Sequence, residues 1–300
     1  MAELDLLRVD VFTDELFMGN PASVVLDADG LDEMQMLRIA SEAGPPATAF
    51  VLRSRRADVR LRYFSPYGED PLSGHAAIGA LWCLAESGAF GNKSSGRHRV
   101  ETAIGVLPFS IEGDADGLKR VWMTQQRPMF AREGDVKEVA SALGVGVDSL
   151  FHDRFPVSRA STGSPCLLVP VRSLDAIERL EPKREEILSL SKELDIACIE
   201  VYTWGVLDKN STVHARCFLP PPGVSEDPAS GMAAGALGAY LVENEFIPKE
   251  KFGEILVEQG HWVGRPSKIH VRVEKQRNAI RKVEVGGSAR VSFRARLIVP

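Results

Sequence analysis

The sequence predicts an α+β protein of two pseudo-symmetric lobes, each a mixed sheet wrapped around a central helix. Three observations carry this. Residues 70–86 (Asp-Pro-Leu-Ser-Gly-His-Ala-Ala-Ile-Gly-Ala-Leu-Trp-Cys-Leu-Ala-Glu) and 227–243 (Asp-Pro-Ala-Ser-Gly-Met-Ala-Ala-Gly-Ala-Leu-Gly-Ala-Tyr-Leu-Val-Glu) agree at 8 of 17 positions without a gap. Each copy follows the same lead-in, Arg62-Tyr63-Phe64-Ser65-Pro66 in the first and Arg216-Cys217-Phe218-Leu219-Pro220 in the second. A fainter echo lies upstream, where Gly19-Asn20-Pro21 and Gly163-Ser164-Pro165 each precede an apolar run. A period this long is no solenoid repeat, so the chain reads as two homologous lobes.

The elements follow in order. Leu31, Met34, Leu37 and Ile39 give an amphipathic helix over 32–42, with Glu42 on its polar side. Arg53-Ser-Arg-Arg56 is a solvated hairpin loop, and Arg60 and Arg62 alternate with Val59 and Leu61 as the outer face of a strand. Residues 59–64 and 213–218 are half-buried strands, ended by Pro66 and by Pro220 to Pro222. The turn Asp-Pro-x-Ser-Gly then opens helices over 74–86 and 231–243. These have no polar face and are therefore buried. The polar, Gly-rich stretch Glu112 to Gly117 is the expected lobe junction, giving lobes 1–116 and 117–288. Gly144, which follows a helical stretch, is a helix C-terminal glycine rather than part of a dinucleotide turn. Residues 289–299 alternate cleanly as a strand with Arg290, Arg294 and Arg296 on one side. Whether this C-terminal strand, 289–300, joins the first lobe or closes the second stays open.

Composition narrows the function. The 300 residues are 44% hydrophobic and 26% charged, which excludes disordered, collagenous and coiled-coil classes. A net charge of −5 lacks the basic footprint that nucleic acid requires, so none is expected as a partner. No apolar run reaches the ~18 residues of a membrane span, and the first residues, Met1-Ala-Glu, carry an acid where a signal peptide needs a base. The four cysteines (Cys83, Cys166, Cys198, Cys217) stand far apart, most of them in apolar runs, and read as buried thiols. A cytoplasmic, reduced protein is expected. The six histidines show no metal-ligand spacing, and His98, His152, His261 and His270 read as surface or strand residues.

Chemistry points to the paired turns. Ser73-Gly74 and Ser230-Gly231 begin buried helices with small residues, leaving the first N–H groups approachable as anion sites. Two such starts facing each other across a cleft would grip a small carboxylate and stabilise an enolate-like charge. Alternatively, Ser73 and Ser230 are only N-caps, and Asp70 and Asp227 only turn formers. Glu69, Asp70 and Glu226 are read as solvent-facing.

Together with Gly19-Asn20-Pro21-Ala22, Glu101-Thr102-x-x-Gly105 and Glu258-Gln259-Gly260…Gly264-Arg265-Pro266-Ser267, these turns resemble the phenazine-biosynthesis isomerase-like (PhzF-like) family over nearly the whole chain. The resemblance implies the diaminopimelate epimerase fold with the site between the lobes, a homodimer, no cofactor and no metal. It also implies general acid–base transfer of a proton within a small carboxylic acid. Position by position, the family's Gly-His pair falls on Gly74 and His75 and its second-turn acid on Asp227. Ser73, Asn20, Ser230, Gly231 and Met232 fall on its substrate-binding positions. Two positions depart: the principal base, normally Glu, is Ala47, and a Ser is Met232. The superfamily's paired catalytic thiols would stand at Ser73 and Ser230, so thiol racemisation is excluded.

His75, the side-chain type that titrates near neutrality unaided, opens a helix whose dipole favours its neutral form. Asp227 in a dry cleft would have a raised pKa that suits shuttling. The pair His75 and Asp227 is therefore the expected acid–base machinery of a cofactor-independent isomerase. Ala47 and Met232 keep a catalytically silent relative that binds a small acid or a protein open. A dehydratase or epimerase of a hydroxylated acid is a further alternative.

Overall fold

The structure, a computed structural model, describes residues 2–44, 46–91, 95–132, 134–221 and 225–299. Met1, Pro222 and Pro300, named above, lie outside the described residues. The chain divides into two compact units, 1–124 with 286–300, and 125–285.

The first unit begins with β1 (Ala2–Val11) and β2 (Asn20–Val25), which pair antiparallel. Next comes α1 (Glu33–Ala43), entered through a reciprocal cap: Gln35 N–H donates to Asp32 Oδ1 (2.8 Å) and Asp32 N–H to Gln35 Oε1 (3.0 Å). Met36 and Ala40 are its buried stripe, packed on Leu6, Val25, Phe50 and Phe64. Glu42 is exposed as expected. Met34 is exposed too, contrary to expectation, because it lies about 200° around the helix from Met36.

The strands β3 (Thr48–Leu52), β4 (Val59–Ser65) and β5 (Gly68–Asp70) follow, then α2 (Gly74–Glu86). Helix α2 has the boundaries expected from the sequence, and every residue from Ala76 to Ala85 is buried. It packs against β1, β2 and β3 on the sheet face opposite α1. The unit continues with β6 (Gly96–Thr102), β7 (Gly105–Asp114) and β8 (Gly117–Thr124).

The expected lobe junction needs correction here. Glu112 to Gly117 is the tip of the β7–β8 hairpin, with Asp114 in register with Gly117, and the two units divide instead at Thr124/Gln125. The tip is closed by Asp116 N–H donating to Asp114 Oδ1 (2.9 Å). Polar residues with glycine serve a two-residue turn as well as a linker.

The second unit holds β9 (Met129–Arg132), α3 (Val136–Ala142), β10 (Ser158–Ser161), β11 (Pro165–Pro170), α4 (Leu174–Glu178), α5 (Arg184–Glu193), β12 (Cys198–Thr203), β13 (Val213–Phe218), β14 (Glu226–Asp227), α6 (Gly231–Glu243), β15 (Ile255–Gln259), β16 (Ser267–Gln276) and β17 (Ala279–Gly287). The sheet is mixed: β11 pairs parallel with β12, and β13 with β15, whereas β12 and β13 pair antiparallel. Helix α6 again matches its expected boundaries, is buried from Ala233 to Val242, and packs on β10, β11, β12 and β16. Helices α3, α4 and α5 cover the opposite face through Leu167, Ile177, Ile187, Ile199, Val201 and Phe218. The final strand, β18 (Ala289–Val299), returns to the first unit and pairs along the whole of β1. That resolves the open placement of the C-terminal strand.

Candidate functional site

The first unit presents a turn built by β4 and β5. Tyr63 stands in register with Asp70, so the hairpin delivers Pro71 and Leu72 directly to the start of α2. Ser73 is extended (φ −122°, ψ 108°) and its carbonyl accepts the first helical bond, from Ala77 (2.9 Å). Its hydroxyl makes no cap bond and lies 3.5 Å from His75 Nδ1. The expectation of Ser73 as an N-cap therefore holds for its backbone and not for its side chain, and the first helical N–H groups have no bond within the helix.

His75 is half-buried, with Nε2 shut away from solvent. Burial, aided by the charge of Arg8, lowers its pKa to about 4 against a hydrogen bond to the Pro21 carbonyl that works upward. The ring is therefore neutral at pH 7. The same contact brings Asn20-Pro21 to His75. Asn20 is buried in register with Val11 at the head of β2. Ala47, buried just before β3, spends its carbonyl on Ser23 N–H (3.0 Å), and its side chain is only a methyl group.

The second unit repeats the turn with a tighter hold. Cys217 stands in register with Asp227, and Asp227 Oδ1 accepts from Ala229 N–H (3.3 Å). Ser230 is buried and caps α6 by accepting from Ala233 N–H (3.4 Å). Gly231 and Met232, both half-buried, form the first turn. Thr162 donates to the Met232 carbonyl (3.5 Å).

Gln259, fully buried, clamps this turn from β15. Its Nε2 donates to the Asp227 carbonyl (2.6 Å), and its Oε1 accepts from Ser230 N–H (3.4 Å). In the sequence Gln259 stands only within the Glu-Gln-Gly motif, and the Gly260 that follows is the local signal of a tight turn. Gly260 has φ +83°, and a Cβ there would sit 2.5 Å from the Pro228 carbonyl oxygen, so the turn needs glycine at its back.

One acid departs from its expected exposure, and one buried histidine carried no expectation. Glu226, expected to face solvent, is largely covered, whereas Glu69 is exposed as expected; both are gripped by the arginines of the two lead-in strands. Arg62 Nε and Nη2 each donate to Glu69 at 2.7 Å, and Arg216 Nε and Nη2 donate to Glu226 at 3.0 and 2.7 Å. Each guanidinium also lies 5.0 Å over the ring of Phe64 or Phe218. The duplication thus survives at the level of side-chain contacts. Arg62 holds the Glu69 carboxyl below its ordinary range.

Asp70 is exposed as expected. His98 is a strand residue of β6, within the expectation, and is buried against the ring of Phe90. His214, unassigned from sequence, pairs through Nδ1 with Glu258 Oε1 (2.8 Å), and both are buried. Burial works to raise the Glu258 pKa. Bonds from His214 and from the Leu207, Asp208 and Ser211 donors outweigh it, lowering the value to about 2.

Among the described residues, no group of three or more His, Cys, Asp or Glu side chains is placed to hold a metal, and no helix is long and apolar enough to cross a membrane.

Comparison with known proteins adds a family. The model of the PhzC-PhzF family, phenazine biosynthesis-like protein, matches residues 9–295. An uncharacterized isomerase of Bacillus subtilis, YfhB, is 34% identical over 291 residues, covering 96% of this chain and 97% of that protein. The trans-2,3-dihydro-3-hydroxyanthranilate isomerase of Pseudomonas aeruginosa is 31% identical, covering 93% of this chain and 94% of its own. A PhzF-family phenazine biosynthesis protein from Bacillus anthracis superposes with a TM-score of 0.90 at 33% identity, covering both chains completely.

Proposed function

This chain belongs to the phenazine biosynthesis-like (PhzC-PhzF) family, and on that premise we propose that it is an isomerase that moves a proton within a small carboxylic acid. The observation that carries the reading is the survival of both Asp-Pro-x-Ser-Gly helix starts, one of them followed by a histidine held neutral. Each helix start favours an anionic substrate group: the N–H groups of Gly74 and His75, with Asn20 and Ser73, in the first unit, and that of Gly231, with Ser230 and Met232, in the second.

The carboxylate of Asp227 removes a proton from carbon, the electron pair shifts into the adjoining double-bond system, and Asp227 returns the proton to another carbon. No oxidant or reductant enters. His75, neutral, hydrogen-bonds the enolate-like oxygen as charge develops there, the role a lowered imidazole pKa suits better than that of a resting base. With Ala47 in place of the family's Glu, the substrate is an acid whose rearrangement needs one proton-carrying carboxylate at this position. The same reading extends to a cofactor-free reaction in a cytoplasmic homodimer.

The test is deuterium incorporation from D₂O into a panel of β,γ-unsaturated and hydroxylated carboxylic acids, followed by NMR. Loss of one positioned acid–base group costs about 10²- to 10⁴-fold, so Asp227→Asn and His75→Ala should lose exchange by that factor. Exchange undiminished in both variants refutes the residue roles. Saturable binding of an acid without exchange favours the silent binder, the reading that the Ala47 methyl group supports. Exchange accompanied by loss of water or inversion at a hydroxylated carbon favours the dehydratase or epimerase.

A further inference from the structure

The second unit carries a carboxyl that the reaction above does not use. Registered pairing sets Leu168, Glu200, Cys217 and Asp227 side by side in one row across β11, β12, β13 and β14. Registered neighbours project to the same face of a sheet, and the alternate residues Ile199, Val201 and Phe218 pack in the cluster under α3, α4 and α5. The row therefore faces α6.

The duplicated row of the first unit is Val24, Ala49, Tyr63 and Asp70. The two rows differ by an exchange of bulk. Where Tyr63 fills the space beside Ala49, the small Cys217 leaves room for the Glu200 carboxyl. Both rows end in the aspartate of the helix-start turn. Glu200 thus lies two residues along the strand from Cys198, which the register makes the counterpart of Ala47.

Glu200 is 0% exposed, and no N–H or O–H among the described residues bonds either of its oxygens; its hydrogen-bonding neighbour is the Cys217 thiol. We propose that Glu200 is a positioning residue for Asp227: the row Glu200–Cys217–Asp227 holds one proton between its two carboxyls, on Glu200, leaving Asp227 as the charged end that meets substrate. The inference rests on Asp227 being the proton carrier of the proposed reaction.

Electrostatics agree with the geometry. Burial raises the Glu200 pKa to about 8, the Cys217 thiol works downward, and the charges of Asp227 and Glu226 raise it again. Glu226 is already paired with Arg216. The other groups around the row are neutral. Cys166 on β11 has its thiol pushed up; Cys198 lies well above the ordinary range through its bond with Cys166 and burial, and Cys217 through its bond with Cys198 and burial. Tyr202, on the same strand face, is likewise pushed well up by burial, and Tyr240 of α6 lies beyond it. Coupling between two sites is reciprocal, so a proton kept on Glu200 makes Asp227 easier to ionise.

Infrared difference spectroscopy on the full chain tests this through the carbonyl stretch of a protonated carboxyl. The band should be present at pH 7, absent in Glu200→Gln, and retained in Asp227→Asn with its titration midpoint lowered by about one pH unit. That is the effect of unit charges about 10 Å apart, two strand spacings, at an effective dielectric of about 20. No band at pH 7, or an unmoved midpoint in Asp227→Asn, overturns the proposal.

The Asp227→Asn measurement keeps native Glu200 and so decides the matter even if Glu200→Gln fails to fold. In the exchange assay, Glu200→Gln should alter the pH profile, while Asp227→Asn should lower the rate by about 10²- to 10⁴-fold. If no acid exchanges at all, the proposed reaction fails, and the infrared midpoint alone decides the coupling.

Discussion

At His75, burial and the positive charge of Arg8 act in the same direction, and together they exceed the hydrogen bond to Pro21. The sequence suggested a neutral imidazole for a different reason, the helix dipole; the larger cause is desolvation. Removing this ring from water gives a measurable sign. Its pKa in the folded chain is about 4, against 6.5 ordinarily, so between these values the unfolded chain binds the extra proton. Stability should rise as pH climbs from 4 to 6.5, by about 2 kcal/mol once the ring's part-exposure is discounted, and His75→Gln should flatten that segment of a urea-denaturation series. Ala47 and Met232 stand at the other limit of legibility. A missing carboxylate or hydroxyl is visible in any sequence, yet nothing local says whether another strand supplies a replacement.

Helices α2 and α6 were legible to the residue, because a turn that starts a helix and an unbroken run of small and apolar residues are both local signals. What the run of small residues serves is tertiary. Gly79 presses on β1 so closely that an added Cβ would meet Val9 Cγ1 at 2.8 Å and Val11 Cγ2 at 3.1 Å. Valine is stiff at χ1 and cannot swing aside. Gly79→Ala should therefore lower the melting temperature. Overpacking costs about 1–3 kcal/mol, against a helix-propensity gain of about 1 kcal/mol.

Strand β15 makes the converse case. Glu258 ties β15 to β13 through His214 and to the preceding loop through the Leu207 and Asp208 N–H groups (2.5 and 2.9 Å). Neither His214 nor Glu258 announces burial: His214 sits between Val213 and Ala215 as a solvent-facing residue does, and Glu258 begins the polar end of its strand beside Gln259. Glu258→Ala strips a buried pair of one partner. It should cost about 3–5 kcal/mol, read as a lowered urea midpoint. Disordering of 204–212 should also appear in hydrogen exchange.

Across the whole molecule, the duplication explains both what the sequence disclosed and what it concealed. Repeated turns, strands and arginine–glutamate pairs were inherited by both units and could be found by comparing the chain with itself. Glu200 belongs to the part that diverged. Within Cys198-Ile-Glu-Val-Tyr-Thr203 the one carboxylate gives no local sign of burial, and only α6 on one side and α3, α4 and α5 on the other reveal that both faces are dry.

This divergence predicts the shape of the pH–stability curve. Glu258, with a folded pKa of about 2 against 4.5, contributes stability that is lost as pH falls from 4.5 towards 2, and His75 adds its rise up to 6.5. Glu200 acts oppositely. Its folded pKa of about 8 exceeds 4.5, so above pH 4.5 the folded chain holds a proton that the unfolded chain has released. Stability should therefore fall by about 5 kcal/mol between pH 4.5 and 8 and level off beyond. Melting curves across this range should show a maximum on the acid side of neutrality. Glu200→Gln, which carries no charge to titrate, should remove the alkaline decline while leaving the acid limb of Glu258 in place. A decline that persists unchanged in Glu200→Gln would assign it to other groups and leave Glu200 ionised inside the fold.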